Sequence, residues 1–469
     1  MLFNLEKYNN SAALITKNEV WSYKKLLDIS KEIERVIEKR SLVFILTSNH
    51  PASVAFYIAC LNNDIVPAMI DTELDEALLV KLIKIYNPQY LWVPKNLTDS
   101  FSSYKEVLNI NDYFLLNTGN PHYLLNEDLA LLVTTSGSTG SPKFVRLSYE
   151  NLLSNTNSII QYLDINEKER SITNLPMNYV YGLSIINTHL YAGASLVVTD
   201  TTLFQKEFWQ LFKEHEVTNF GGVPYTFAML EKMRFFRMKL PHLKTITQAG
   251  GKLNPELHRK FAEYAQKENK RFFVMYGASE ATARMGYLPF ERSLEKCGSM
   301  GIAIPGGSFS LVDESGNAID DIEKVGELVY RGKNVMMGYA QTASDLKNGD
   351  ETGGCLYTGD IAKRDVDGFY TIVGRKSRFL KMFGKRTNLE EIEFILKEHF
   401  KVEFACGGID NKLYVFVTDH AIEKTISPYL SEKLKLHPSA IKPIFIESIP
   451  KSSSGKILYS SLKNYYEEV

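Results

Sequence analysis

A layered α/β fold, followed by a β-rich piece and a small α+β unit, is what this 469-residue chain predicts. Three observations carry the prediction. Short apolar runs alternate with helical patterns through most of the sequence, with few hairpin signals. From about Gly298 the texture changes to short strands and Gly-rich turns. After Arg375 a charged stretch leads into a compact mixture of helix and strand. The length exceeds what one core supports and suggests about two to four structural units.

In order, residues 43–46 read as a strand, 52–61 as a helix, 66–70 as a strand and 91–93 as another after a further helical stretch. Residues 129–133 form an apolar run of buried-strand type. Ser148 then caps a helix that opens with Tyr149 and Glu150. The strand at 194–198 precedes a helix around 208–212, and 219–223 precedes a helix at 225–233. In the β-rich part, 308–312 and 326–330 are strands. Near the end, a helix at 388–398 leads to the strand 412–417. No internal repeat or low-complexity tract interrupts this order.

Bulk properties exclude several classes. A formal net charge of −1 gives no support to nucleic-acid or polyanion binding. Cys60, Cys297, Cys355 and Cys406 are scattered, without C-x-x-C pairs or metal-ligand spacing, which suits a reducing compartment. The N-terminus lacks the basic-then-apolar layout of a signal peptide, and no apolar run reaches the ~18 residues that span a bilayer. The expectation is a cytoplasmic protein with no membrane partner and no nucleic-acid partner.

The most informative segment is Thr134-Thr135-Ser136-Gly137-Ser138-Thr139-Gly140-Ser141-Pro142-Lys143. Placed between a strand and a helix, its hydroxyls, glycines and lysine suit a polyphosphate: glycines let the backbone approach, hydroxyls and N–H groups donate, and Lys143 adds a mobile charge. The spacing is not that of a Walker motif, so a P-loop kinase or GTPase fits poorly. A Ser/Thr/Gly surface loop without a ligand is the plain alternative.

Five more segments stand beside it. A strand at 243–249 ends in Gly250 and Gly251, bare backbone against which a flat ring can lie. Tyr276-Gly277-Ala278-Ser279-Glu280 joins an aromatic face, a glycine and a carboxylate. Tyr357-Thr358-Gly359-Asp360 sets a carboxylate after a tight turn, where it can accept both hydroxyls of a ribose. Gly374-Arg375 supplies a cation where the texture changes. Pro450-Lys451-Ser452-Ser453-Ser454-Gly455-Lys456 is a second Ser/Gly/Lys loop. Singly each has a dull reading as a turn, a cap or a solvated lysine; their joint order does not.

Together these segments resemble the adenylate-forming (ANL) superfamily: acyl- and aryl-CoA synthetases, adenylation domains of non-ribosomal peptide synthetases, and luciferases. The resemblance runs from Trp21-Ser22-Tyr23 to the Lys456 loop. It implies an N-terminal AMP-binding domain over 1–374, with the β-rich subdomain from about 298. A small mobile C-terminal domain over 375–469 would be hinged at Ser377 and carry the catalytic lysine. The implied reaction is ATP-dependent activation of a carboxylic acid as an acyl-adenylate with pyrophosphate release. Transfer to a pantetheine thiol then gives a thioester and AMP.

By the same resemblance, Thr135, Ser136, Gly137, Ser138, Thr139, Gly140 and Lys143 would hold the β- and γ-phosphates. Tyr276 and Gly277 would stack on adenine opposite Gly250 and Gly251, beside Ser279. Glu280 would hold Mg²⁺, Asp360 and Arg375 the ribose region, and Lys456 the α-phosphate. Residues 381–386 would face the site after domain rotation. Tyr179, Tyr181, Gly182 and Gly250 would line the acyl pocket.

The sequence departs from the family pattern in places. Phe144 stands where glycine is usual and would stiffen the phosphate loop. Ser279 replaces a threonine, Ser377 a hinge aspartate, and Lys252 a small or acidic residue. The Phe-Asp pair that holds a substrate ammonium is replaced by Asn178-Tyr179, which argues against an α-amino acid. A modest-sized, partly polar acid is expected. The acceptor is CoA or a separate phosphopantetheinylated carrier protein, since the chain ends soon after Lys456. The alternatives are a stand-alone amino-acid-activating enzyme loading a carrier protein, a degenerate nucleotide-binding homologue without thioester activity, and a luciferase-like oxygenase.

Overall fold

The structure, a computed structural model, describes residues 2–134, 143–382, 385–409, 411–434, 436–451 and 457–466. It divides into two compact units. The first comprises residues 1–135, 142–309 and 330–356; the second comprises 136–141, 310–329 and 357–469.

Two sheets build the first unit. An eight-stranded sheet runs in the order Gly338–Ala340, Phe144–Ser148, Leu129–Thr134, Val66–Asp71, Leu42–Thr47, Tyr90–Pro94, Tyr113–Asn117, Lys105–Ile110. Its centre is parallel: Leu42–Thr47 pairs with both Val66–Asp71 and Tyr90–Pro94. Both faces are covered, so the strands are apolar throughout and still alternate by face. Phe44 and Leu46 pack with Leu79, Leu82 and Tyr86 of the helix Glu76–Tyr86. Val43 and Ile45 face the larger core, which includes the helix Pro51–Asn62. Every residue of that helix is buried, as expected of one apolar on all sides. Its Tyr57 hydroxyl donates to Asn187 Oδ1 at 3.0 Å, tying it to the helix Val180–Tyr191.

The nine-stranded sheet closes the other side of that core. Its order is Ile302–Ala303, Gly286–Leu288, Arg271–Tyr276, Thr245–Gln248, Asn219–Gly222, Arg170–Ile172, Ser195–Val197, Ala12–Ile15, Val20–Ser22. The run from Asn219–Gly222 to Arg271–Tyr276 is parallel.

The second unit takes in most of a four-stranded sheet that ends in the hairpin Cys355–Arg364 and Tyr370–Arg375. It also holds a three-stranded sheet of Phe404–Ile409, Lys412–Val417 and Ile441–Phe445, packed against the helices Leu389–Phe400 and Glu423–Leu434. The α/β layers and the smaller α+β part agree with the sequence reading.

One expectation is corrected. The Ser/Thr/Gly loop does not lead from a strand into a helix. A strand, Phe144–Ser148, intervenes and pairs antiparallel with Leu129–Thr134 before the helix Tyr149–Leu163 begins. Arg146 hides this strand in the sequence by interrupting its apolar run. In the fold Arg146 is fully buried, paired with Glu351 at 2.9 Å and donating to the carbonyls of Met337, Tyr339, Asn348 and Gly349. Ser148 caps the helix as expected, in a reciprocal pair with Asn151.

Candidate active site

Parallel pairing decides which residues meet in the first unit. Gly222 pairs with Gln248 and Gln248 with Val274, so three adjacent strands end at one edge of the sheet. Gly250 and Gly251 follow one of these strands, and Tyr276 and Gly277 close the next. The C-terminal edge of a parallel sheet is the usual ligand edge of an open α/β layer. Gly250 has φ +87°, and a Cβ there would lie 2.5 Å from the Tyr179 phenol oxygen. A Cβ on Gly277 would lie 1.7 Å from the Ala283 carbonyl, so that turn closes only over glycine. The Tyr276 ring stands 6.2 Å from Phe309.

Tyr179 and Tyr181 reach the same neighbourhood from the start of the helix Val180–Tyr191, which also contains Gly182. Tyr181 donates to the Thr247 carbonyl at 2.9 Å, and its ring stands 6.2 Å from Tyr179. Burial pushes both phenols up, with Arg284 opposing the shift, and Tyr181 reaches about 12. Asn178 donates to Asp71 Oδ2 at 3.2 Å.

Lys143 and Glu280 are joined through a residue the motifs did not indicate. Tyr339 lies on the edge strand Gly338–Ala340 and pairs with Val145. Its hydroxyl donates to Glu280 Oε1 at 2.8 Å, and Lys143 Nζ sits 3.5 Å from its ring centroid. Burial first, and then the Glu280 charge, push the Tyr339 phenol up, so it remains a protonated donor. Glu280 lies in the short turn Ser279–Ala281, and its carbonyl accepts from the Met336 N–H at 2.9 Å. Phe144 itself belongs to a strand. It is fully buried, with its ring 4.8 Å from Tyr86 and 5.9 Å from Phe44.

In the second unit, Asp360 and Arg375 face each other across the hairpin, with Arg375 Nε 2.9 Å from Asp360 Oδ1. Asp360 is buried, while the arginine is largely exposed. Gly359 has φ +70°, and the Asp360 N–H donates to Thr358 Oγ1 at 3.1 Å. Beyond it, Arg378 anchors the unit's core. It meets Glu393 at 2.5 Å, donates to the Cys406 carbonyl at 2.6 Å and lies 3.7 Å over the Tyr459 ring. Tyr459 in turn donates to Glu393 Oε2 at 3.0 Å. A bridge between Lys451 and Ile457 and a bond from Leu458 N–H to the Pro450 carbonyl bracket the second Ser/Gly/Lys segment.

Thr135, Ser136, Gly137, Ser138, Thr139, Gly140 and Lys456 lie outside the described residues, as does the side chain of Ser377. Among the described residues no group of three His, Cys, Asp or Glu could hold a metal on its own. Mg²⁺ bound mainly by substrate phosphates and water needs only one or two carboxylates from a protein, so Glu280 alone would fit it. The sequence reading missed Tyr339 and Arg284. Tyr339 follows Met336-Met337-Gly338 and looks like a core aromatic, and Arg284 is a lone cation between Ala283 and Met285.

Residues 3–340 match the AMP-binding enzyme family, and the chain belongs to it, within the adenylate-forming superfamily. Relatives include oxalate–CoA ligase of Saccharomyces cerevisiae, 27% identical over 76% of this chain and 67% of that protein. Long-chain-fatty-acid–CoA ligase of Escherichia coli O157:H7 is 30% identical over 73% of this chain and 62% of that protein. The chain thus spans about two thirds of the length of these relatives. Peroxisomal OPC-8:0-CoA ligase 1 of Arabidopsis thaliana is 25% identical over 96% and 88%. In fold, the chain is similar to O-succinylbenzoate CoA synthetase of Bacillus subtilis bound to its acyl-adenylate. The TM-score is 0.80 at 22% identity, over 99% of this chain and 98% of that one. ATP-bound MatB of Rhodopseudomonas palustris has a TM-score of 0.80 at 21% identity, over 98% and 96%.

Proposed function

We propose that this enzyme activates a small carboxylic acid with ATP, releasing pyrophosphate and forming an acyl-adenylate, and then passes the acyl group to a pantetheine thiol. The observation that carries the reading is the linked set Lys143, Tyr339 and Glu280, in the unit whose sheet edge also presents Gly250, Gly251 and Tyr276. A cation and a carboxylate held apart by one tyrosine suit a substrate that brings its own polyphosphate and divalent ion.

In the first step a carboxylate oxygen attacks the α-phosphorus, the bond to the bridging oxygen breaks, and pyrophosphate leaves. Both reactants are anions, so the protein's task is alignment and charge neutralisation. Lys143, with Thr135 to Gly140, would hold the β- and γ-phosphates. Tyr276, Gly277, Gly250 and Gly251 would enclose adenine, with Ser279 beside them. Asp360, steadied by Arg375, would accept the ribose hydroxyls. Glu280 would hold Mg²⁺, which supplies charge neutralisation on the phosphates when bound. Lys456 would bridge the substrate carboxylate and the α-phosphate, its ammonium a compact charge on a long stem.

In the second step the thiol attacks the acyl carbon and AMP leaves. Assigning residues 375–469 to a mobile domain turning at Ser377 gives this step its own pose, with residues 381–386 replacing Lys456. The acceptor is CoA or a free-standing carrier protein; the CoA ligases among the relatives favour CoA. Four free cysteines support a reducing, cytoplasmic setting. Among the described residues no helix is long and apolar enough to cross a membrane.

Phe144, packed in the core, lends nothing to a degenerate homologue. Acid-dependent exchange of pyrophosphate into ATP tests the reading, and thioester formation with CoA or holo-carrier protein tests the acceptor. Exchange with some acid in a panel of short-chain, hydroxy, aryl and amino acids is expected. Its absence from the whole panel would remove the reading.

A further inference from the structure

Three arginines are buried among the described residues: Arg146, Arg284 and Arg378. Two of them are neutralised, Arg146 by Glu351 and Arg378 by Glu393. Arg284, 3% exposed, has no carboxylate within ion-pair reach among the described residues. Its side chain meets neutral groups instead: Nε donates to the Met275 thioether at 3.4 Å, the Tyr162 phenol is a further hydrogen-bond partner, and Cζ lies 4.0 Å from the Tyr181 ring centroid. A thioether is a weak acceptor and a ring face supplies only partial charge. The neighbouring phenols Tyr162, Tyr179 and Tyr181 stay neutral because burial pushes them up. Unlike the other two buried arginines, Arg284 therefore has neutral partners and no carboxylate among the described residues.

The backbone is bent to put it there. Thr282 has φ 61° and Ala283 φ 133°, two consecutive non-glycine residues in left-handed territory immediately before Arg284. Surrounding bonds hold that conformation. Thr282 Oγ1 donates to the Asn334 carbonyl at 2.7 Å, and the Arg284 carbonyl accepts from Asn155 and Asn334, both at 2.8 Å. Strain kept in place by this many contacts belongs to sites that serve a ligand.

The geometry points to a substrate that brings the missing charge: we propose that the acid this enzyme activates carries a second carboxylate, which pairs with Arg284. This rests on the reading that Tyr179, Tyr181 and Gly250 line the acyl pocket. Arg284 packs on the Tyr181 ring, and Tyr179 abuts Gly250, so the cation is the immediate neighbour of a residue assigned to that pocket. A planar guanidinium takes a carboxylate through two parallel bonds, which fixes the acid end to end and leaves its other carboxylate to react. A substrate ammonium beside this cation is disfavoured.

The test compares pyrophosphate–ATP exchange for matched acids, each dicarboxylate beside the monocarboxylate of equal length, in aliphatic and aryl series. Wild type is expected to favour the diacids. Arg284→Met should lower the diacid-to-monoacid ratio of kcat/KM by on the order of a hundredfold, and Arg284→Lys should keep part of the preference. Thermal melting gives a second readout. Removing an unpaired buried charge should leave unliganded Arg284→Met melting no lower than wild type, and diacids should raise the melting temperature of wild type alone. Preference for monoacids in wild type, with the ratio unmoved by Arg284→Met, overturns the inference and leaves the proposed function standing. Exchange with no acid at all overturns both. A diacid preference that survives Arg284→Met, or a variant that melts far lower while diacids stabilise neither protein, also overturns the inference.

Discussion

The Tyr339 hydroxyl donates a 2.8 Å hydrogen bond to Glu280 Oε1 across residues far apart in the chain, and the same tyrosine's ring carries the Lys143 ammonium. One side chain thereby sets the position of both the cation and the carboxylate proposed to flank the polyphosphate. The bond depends on strand pairing, because Tyr339 reaches Glu280 only from an edge strand held against Phe144–Ser148.

Tyr339→Phe keeps the ring under Lys143 and removes the hydroxyl. A hydrogen bond to a charged group contributes about 1.5–3 kcal/mol. Acid-dependent exchange is therefore expected to fall roughly tenfold to hundredfold, with a higher Mg²⁺ concentration needed for half-maximal rate. Tyr339→Leu, which also removes the ring, should fall further. Exchange titrated against Mg²⁺ in both variants checks this; a Phe variant with the wild-type Mg²⁺ dependence would show that Tyr339 does not position Glu280.

Arg378→Met should destabilise the second unit by about 3–5 kcal/mol, because Glu393 would be left buried without its cation. Burial already pushes the Glu393 carboxyl up, with Arg378 as the opposing charge. Without Arg378 the folded state holds a proton that the unfolded state has released, and such a group gains stability as pH falls. The variant's deficit should shrink between about pH 8 and about pH 5, as read by chemical denaturation across that range. A deficit independent of pH would contradict the assignment.

Two histidines set the acid limit of stability. His189 and His258 are buried and neutral, and burial lowers both to about 4. His258 shares a 3.0 Å hydrogen bond with Ser293 through Nε2. Below the ordinary histidine range the unfolded chain takes up these protons and the native protein does not, so stability present above about pH 6.5 is lost as pH falls towards about 4. Each group accounts for about 3 kcal/mol over that window. Denaturation at pH 5 should take up nearly two more protons in wild type than in a His189→Asn, His258→Asn double variant, and equal uptake would contradict it.

Much of this was legible in the sequence. Strands such as Leu42–Thr47 and Leu129–Thr134 are apolar because both faces of their sheet are covered, and they show as unbroken runs. Helix starts show where a side chain caps them, as Ser148 does. Strands whose side chains are charged did not show. Arg146 hides Phe144–Ser148, and Lys105–Ile110 and Lys385–Asn388 are held by backbone bonds that polar residues also make. At the site, residues in short motifs were readable because glycine, carboxylate and lysine cluster locally. Tyr339 and Arg284 act through pairing and burial, which no local pattern records.

Exchange of labelled pyrophosphate into ATP by wild type and Lys456→Ala, run beside thioester formation from a supplied acyl-adenylate, bears most directly on the two-step chemistry. The account predicts acid-dependent exchange in wild type, its loss in Lys456→Ala, and thioester formation retained in that variant. Equal loss of both activities, or wild-type protein that never exchanges pyrophosphate, would contradict it.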